Sequence, residues 1–189
     1  RRQVISDIGS FYDPSSLETL KTSLKNEANP GVQATAIRSL AGFGDKEAST
    51  LIRDALKANS YRHQVADAAI SAMRTQDDPS EIKYLLTVLR RDRSKFTSRG
   101  YGSGLKALGY LTRNENDKSN VRNFLLEQLG HPNSRINLAA IESLGELGDP
   151  SAISSLEKVA SGREDSASKI KAEKAIEKLR SGRKPVDDF

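Results

Sequence analysis

"AIESLGELGDPSAISSL", residues 140–156, holds the end of one helix, a tight corner and the start of another. Leu144 and Leu147 lie three apart and share a helical face. Gly148 offers the left-handed conformation that closes a helix without a Cβ penalty. Asp149 supplies a carboxylate for the orphan amides of the next helix, and Pro150 suits its first position, where a missing N–H costs nothing. Two paraphrases stand upstream, "VISDIGSFYDPSSLETL" (4–20) and "AIRSLAGFGDKEASTLI" (36–52). The same corner recurs as Asp13-Pro14, as Gly44-Asp45, as Asp78-Pro79 and, stretched by "TRNEN", as Asn116-Asp117.

The spacing of the capping acids sets the architecture. Asp13, Asp45, Asp78, Asp117 and Asp149 are separated by 32, 33, 39 and 32 residues. A period in the low thirties, lengthened once, marks a two-helix repeat. Each period has an interior corner: "NEANPG" (26–31), "KANSYR" (57–62), "RDRSKFTSRG" (91–100), "LGHPNS" (129–134) and "SGREDS" (161–166). Pro30 and Pro132 are expected to open second helices, each beside an Asn that can bond the local backbone.

Between corners the apolar period is helical. In the second helices Val32, Ala36, Ile37 and Leu40 align with Val65, Ala69, Ile70 and Met73, and with Ile136, Ala140, Ile141 and Leu144. Ile170, Ala175, Ile176 and Leu179 continue the series. The small alanines let neighbouring hairpins approach toward the lower end of the roughly 8–10 Å helix spacing. No alternating run is long enough for a strand. The expectation is an all-α solenoid, an α-α superhelix of about five helical hairpins behind a leading half-repeat. Its boundaries fall at 1–12 for the half-repeat, 13–44, 45–77, 78–116, 117–148 and 149–182 for the repeats, and 183–189 for a tail, all in one repeat domain.

Composition agrees with that class. The chain has 189 residues, 36% hydrophobic and 29% charged, as a soluble domain of ordinary size has. No run reaches the apolar length of a membrane span, and no N-terminal stretch has the parts of a signal peptide. With no cysteine there is no disulfide and no thiolate metal ligand. A net charge of +5 permits an acidic partner without requiring one.

Residues 133–160, "NSRINLAAIESLGELGDPSAISSLEKVA", keep the order aliphatic-Ala-Ala-Ile-x-x-Leu-Gly-x-Leu-Gly-Asp-Pro. That pattern resembles the HEAT family, in particular its short phycobilin-lyase type. The resemblance implies a helical repeat and is a weak guide to activity. Three further stretches resemble the C-terminal helical-repeat region of bacterial aminopeptidase N-type zinc metallopeptidases: "NSYRHQVADAAISAM" (59–73), "TSRGYGSGLKALGYL" (97–111) and "AIEKLRSGRKPVDDF" (175–189). That second resemblance implies a non-catalytic tail whose zinc and chemistry sit in a separate catalytic domain. The family's His-Glu-x-x-His is absent here, and His63 and His131 each lack a second His four residues away. No catalytic, metal or cofactor residue carries over. The opening "VISDIGSFYDPS" (4–15) aligns with "AIESLGELGDPS" (140–151), so the chain begins partway along a second helix and reads as a piece of something larger, with a natural half-repeat cap as the alternative.

Four features are candidates for contact. The middle interior corner gathers Arg90, Arg91, Arg93, Lys95 and Arg99 around Phe96 and Tyr101. Cations with interleaved aromatics can hold nucleic-acid phosphates and stack a base, but a solvated loop with one buried aromatic is the preferred reading. As a docking surface the corner suits an acidic face of the parent's own catalytic domain, with a solvated irregularity as the alternative. The two lengthened corners around it are expected to raise Arg91, Arg93, Lys95 and Arg99 into a protruding ridge. The Gly-rich "RGYGSG" (99–104) has neither a preceding strand nor the lysine of a phosphate loop, and reads as a loosened helix start. Lys169, Lys171, Lys174 and Lys178 with Glu173 and Glu177 read as a self-paired solvated face. His63, beside Tyr61 and Arg62, stands on a second-helix start as a lone exposed histidine. The sequence thus describes a non-catalytic repeat module that contacts a protein or its own catalytic domain, with a free-standing protein-binding scaffold as the alternative. It carries no membrane contact.

Overall fold

The computed structural model describes residues 1–44, 46–162 and 165–182. Among them are eleven α-helices and four short 3-10 turns, with no strand. The helices are α1 (Arg2–Ile8), α2 (Pro14–Asn26), α3 (Pro30–Leu40), α4 (Lys46–Leu56), α5 (Gln64–Gln76) and α6 (Ile82–Arg91). They continue as α7 (Ser98–Thr112), α8 (Ser119–Leu126), α9 (Ser134–Leu147), α10 (Ile153–Ser161) and α11 (Ser166–Arg180). The expected half-repeat followed by five pairs of helices is present. None of the helices is long and apolar enough to cross a membrane. The chain forms two compact units: Arg1–Asp78 with Asp92–Gly100, and Pro79–Arg91 with the residues from Tyr101 onward.

In the first unit, α2 packs on α3 and α4 on α5, while the second helices α1, α3 and α5 follow one another side by side. Leu20, Ile37, Leu40, Ile52, Ile70 and Met73 are fully buried. Such side chains each contribute on the order of 1.5–3 kcal/mol by leaving water. Ala34, Ala36, Ala68, Ala69 and Ala72 are buried too, which is how α3 and α5 come close. Asp13 caps α2, accepting from the amides of Ser15 and Ser16, with Pro14 at the first position. Asn29 caps α3 by accepting from the Gly31 amide. Tyr12 meets the Phe43 ring edge-on at 5.7 Å, and Gln76 Nε2 donates to the Phe43 carbonyl at 3.1 Å, tying the end of α5 to the corner after α3.

In the second unit, α8 packs on α9, α10 on α11, and α9 on α11. The 140–156 corner forms as read: Gly148 is left-handed at φ 70°, and Asp149 accepts from the Ser151 amide with Pro150 at the first position of the following turn. Two side chains at the start of α8 clamp it. Lys118 Nζ donates to the Leu147 carbonyl at 2.7 Å, and Arg122 donates to the Asp149 carboxylate at 2.7 Å.

Several details differ from the expectations. Pro132 lies outside α9, whose cap is Asn133 and whose first residue is Ser134. Gly44 is not left-handed, and in the corner after α5 the left-handed stop falls on Asp77, φ 51°. Asp45 lies outside the described residues. The Gly-rich 99–104 stretch lies at the start of α7 as expected, but as regular helix rather than a loosened turn. A Cβ on Gly104 would stand 2.7 Å from Leu89 Cδ2 of α6, one on Gly102 3.2 Å from Ala139 Cβ of α9, and one on Gly109 2.5 Å from the Ser143 carbonyl oxygen. Within the second unit, glycine therefore replaces the alanine of the other second helices where backbones approach closest.

Candidate interaction surface

The middle corner follows α6. A 3-10 turn over Arg93–Lys95 leads to Phe96, and Thr97 Oγ1 accepts from the Gly100 amide to start α7. Phe96 and Tyr101 are 7% and 2% exposed, so both rings belong to the core and neither is available to stack on a base or a partner. The cations remain outside: Arg91, Lys95 and Arg99 are exposed and Arg93 is half-buried. Lys95 pairs with Asp92 at 3.3 Å. Arg90, in the second unit, lies over the Phe124 ring at 5.2 Å and 3.9 Å from a Glu127 carboxylate oxygen.

The second helices of the first unit bring together residues far apart in sequence. Asp67 of α5 is half-buried, and its Oδ1 is sealed from solvent with no hydrogen-bond donor among the described residues. A Cβ on Gly100 would stand 1.9 Å from that oxygen, so only glycine lets the carboxylate lie there. Burial pushes the Asp67 carboxyl up, against the downward pull of His63, Arg99 and Arg38. Arg62 and His63 just before α5 are both left-handed, at φ 53° and 54°. Non-glycine residues held this way cost about 1–3 kcal/mol each and concentrate at functional places. Tyr61 is 66% exposed, with the Arg62 guanidinium 5.2 Å from its ring centre.

In the second unit the second-helix charges answer one another. Glu142 of α9 accepts from both Lys106 of α7 and Lys171 of α11. Desolvation would raise its carboxyl, yet the two lysines together hold it below the usual carboxylate range. Lys178 bonds Glu146 at 2.6 Å. Lys171 and Lys178 of the expected self-paired face thus reach across to α9 rather than along their own helix. An open groove of about 580 Å³ beside α10 and α11 is lined by Glu157, Glu173, Ile176, Glu177, Arg180 and Ser181. His131 is engaged locally, its Nδ1 accepting from the Asn133 amide. Among the described residues no three His, Asp or Glu side chains group as metal ligands would.

Sequence reasoning missed Arg38 and Asp67. One signal was present: in the register that aligns Val32, Val65 and Ile136, the acid at 67 stands where the other helices have Ala34 and Leu138.

Among solved structures, human deoxyhypusine hydroxylase in complex with glycerol superposes with a TM-score of 0.51 at 15% identity, over 95% of this chain and 79% of that one. The complex of CpcE and CpcF of phycocyanin lyase from Nostoc sp. PCC7120 superposes with a TM-score of 0.47 at 16% identity, over 100% of this chain and 84% of that one. At such identities the likeness to the hydroxylase is one of fold alone. No curated protein matches the chain in sequence. The sequence model of HEAT repeats matches residues 1–73, 17–100 and 103–177. With the helix pairs and corner chemistry described above, that match places the chain in the HEAT-repeat family.

Proposed function

We propose that this chain is a non-catalytic helical-repeat module that binds a protein partner along its second helices. One observation carries the reading. At the position after the buried aliphatic that recurs in every second helix, each helix presents a polar side chain: Ser6, Arg38, Ser71, Lys106, Glu142 and Glu177. All are exposed except Glu142, which is half-buried. A polar position repeated helix by helix is how a repeat array builds an extended recognition surface. The test is to cross-link the purified chain in extract of its host, identify the partner and rebuild the complex from two purified proteins. Charge reversal along Arg38, Lys106 and Glu177 should weaken that complex at least about tenfold, or 1.4 kcal/mol. A complex indifferent to all three reversals would sink the proposal.

The stretches 59–73, 97–111 and 175–189 support a narrower reading, in which the module is the tail of an aminopeptidase N-type zinc metallopeptidase. There Arg91, Arg93, Lys95 and Arg99 would dock an acidic face of the catalytic domain, the guanidinium forks gripping carboxylates two bonds at a time. Phe96 and Tyr101 would support that corner from within. The resemblance alone stands behind this reading. A gene carrying His-Glu-x-x-His upstream of Arg1, with an interdomain contact that R91E/R93E/R99E loosens, is the expected outcome; an upstream sequence without the motif ends it.

A further inference from the structure

We infer that Arg38 of α3 and Arg99 of α7, on the two helices that flank Asp67 of α5, receive an acidic segment of a partner protein. The inference rests on the protein-binding reading above and names its site and the partner's chemistry. In the second unit the comparable charges are already matched, with Glu142 between Lys106 and Lys171 and Glu146 on Lys178. The first unit differs. Arg38 and Arg99 are both exposed, and neither forms an ion pair among the described residues. Arg38 Nη1 makes a long bond of 3.4 Å to the Ala34 carbonyl of its own helix. The acid within their electrostatic reach is Asp67, whose Oδ1 is wedged against the Gly100 backbone and takes no hydrogen bond.

A carboxylate placed so attracts the two guanidinium groups without occupying their donors. That attraction biases both side chains toward the strip of α5 between them, which lowers the entropy lost when a ligand orders them. Their N–H forks match a carboxylate in geometry and charge. Asp67 also selects among anions. A peptide with two acids one helical turn apart can straddle it, whereas a strand of phosphates brings continuous negative charge directly over it.

The test uses the full chain and a fluorescein-labelled decaglutamate peptide, read by anisotropy at low salt, with decalysine and a ten-nucleotide thymidylate strand as comparators. Decaglutamate should bind, weaken as salt rises, and lose at least about tenfold in affinity in R38A/R99A, as the loss of charge-assisted bonds implies. R38K/R99K keeps the charge and loses the fork, and should fall between the two. K171A/K178A, on α11, should change binding less than about twofold. Circular dichroism confirms that each variant is folded, and R38K/R99K carries the test should R38A/R99A not be. Binding unaffected by either arginine variant, or lost equally in K171A/K178A, overturns the site. Thymidylate binding as tightly as decaglutamate overturns the partner class. If decaglutamate fails while the rebuilt protein complex survives, this inference falls and the protein-binding reading stands.

Discussion

Asp13 shows how a single side chain starts a repeat. Its carboxylate accepts from the Ser15 and Ser16 hydroxyls at 2.6 and 2.8 Å and from both backbone amides. The side-chain bonds, Ser15 first, hold its pKa at about 2 against an ordinary 3.8. Because the folded value lies below the unfolded one, the cap's contribution is complete above about pH 4 and fades as pH falls toward 2. A carboxyl-detected NMR titration should place the Asp13 midpoint near 2 and move it upward in S15A; a midpoint at the ordinary value would refute the cap. Gly109 makes the opposite point, a residue chosen for what it lacks. An added methyl would press on the Ser143 carbonyl, which as backbone has no rotamer to escape into. G109A should therefore destabilise by about 1–3 kcal/mol. G44A, with nothing within 4 Å of the new atom and no left-handed φ to maintain, should be neutral or gain about 0.4–1 kcal/mol. Equal denaturant midpoints for the two variants would count against the close-approach account.

At the scale of elements, what joins successive second helices in the second unit is small residues below and ion pairs above. Lys106, Glu142 and Lys171 sit on α7, α9 and α11 in turn, so Glu142 bridges three repeats with one carboxylate. Partly exposed pairs are each worth roughly 0.2–1 kcal/mol. E142A should accordingly cost about 1 kcal/mol in dilute buffer and much less in 1 M salt, measured by urea unfolding. The carboxyl is depressed below its unfolded value, so this contribution is present above the usual glutamate range and lost as pH falls through the lowered one. An E142A penalty unchanged by salt would point instead to lost packing of the glutamate stem. The ladder was hidden in the sequence because Lys171 and Glu142 are 29 residues apart, while Glu173 and Glu177 sit near the lysines of α11 and suggest local pairing. The corners were legible because Asp149 and Asn133 satisfy amides two residues away, and such bonds need nothing from the rest of the fold.

For the whole molecule, each of the two units closes a core of its own. In repeat proteins stability accrues from each repeat and from its interfaces with neighbours, so damage stays local. Ile37 of α3 is fully buried among helices of the first unit. I37A should cost about 2–5 kcal/mol there. Native-state hydrogen exchange should show α2 to α5 losing protection while α8 to α11 keep most of theirs. Uniform loss across all helices would mean that the chain unfolds as one cooperative block.

The sequence by itself determined the helices, their order and their corners, because the 3.6-residue apolar period, Asp-Pro caps and a left-handed glycine act within a few residues of each other. Its spacing of caps also determined that the helices come in pairs, since a recurring corner leaves no other unit to stack. Tertiary structure decided the rest. It placed Phe96 and Tyr101 inside when their basic neighbours suggested a surface, because burying a large ring outweighs the company it keeps along the chain. It paired the α11 lysines with α9 and laid Gly100 of α7 against the Asp67 carboxylate of α5. Those placements depend on how closely the second helices approach, a distance set by alanine and glycine on facing surfaces and invisible to any local pattern.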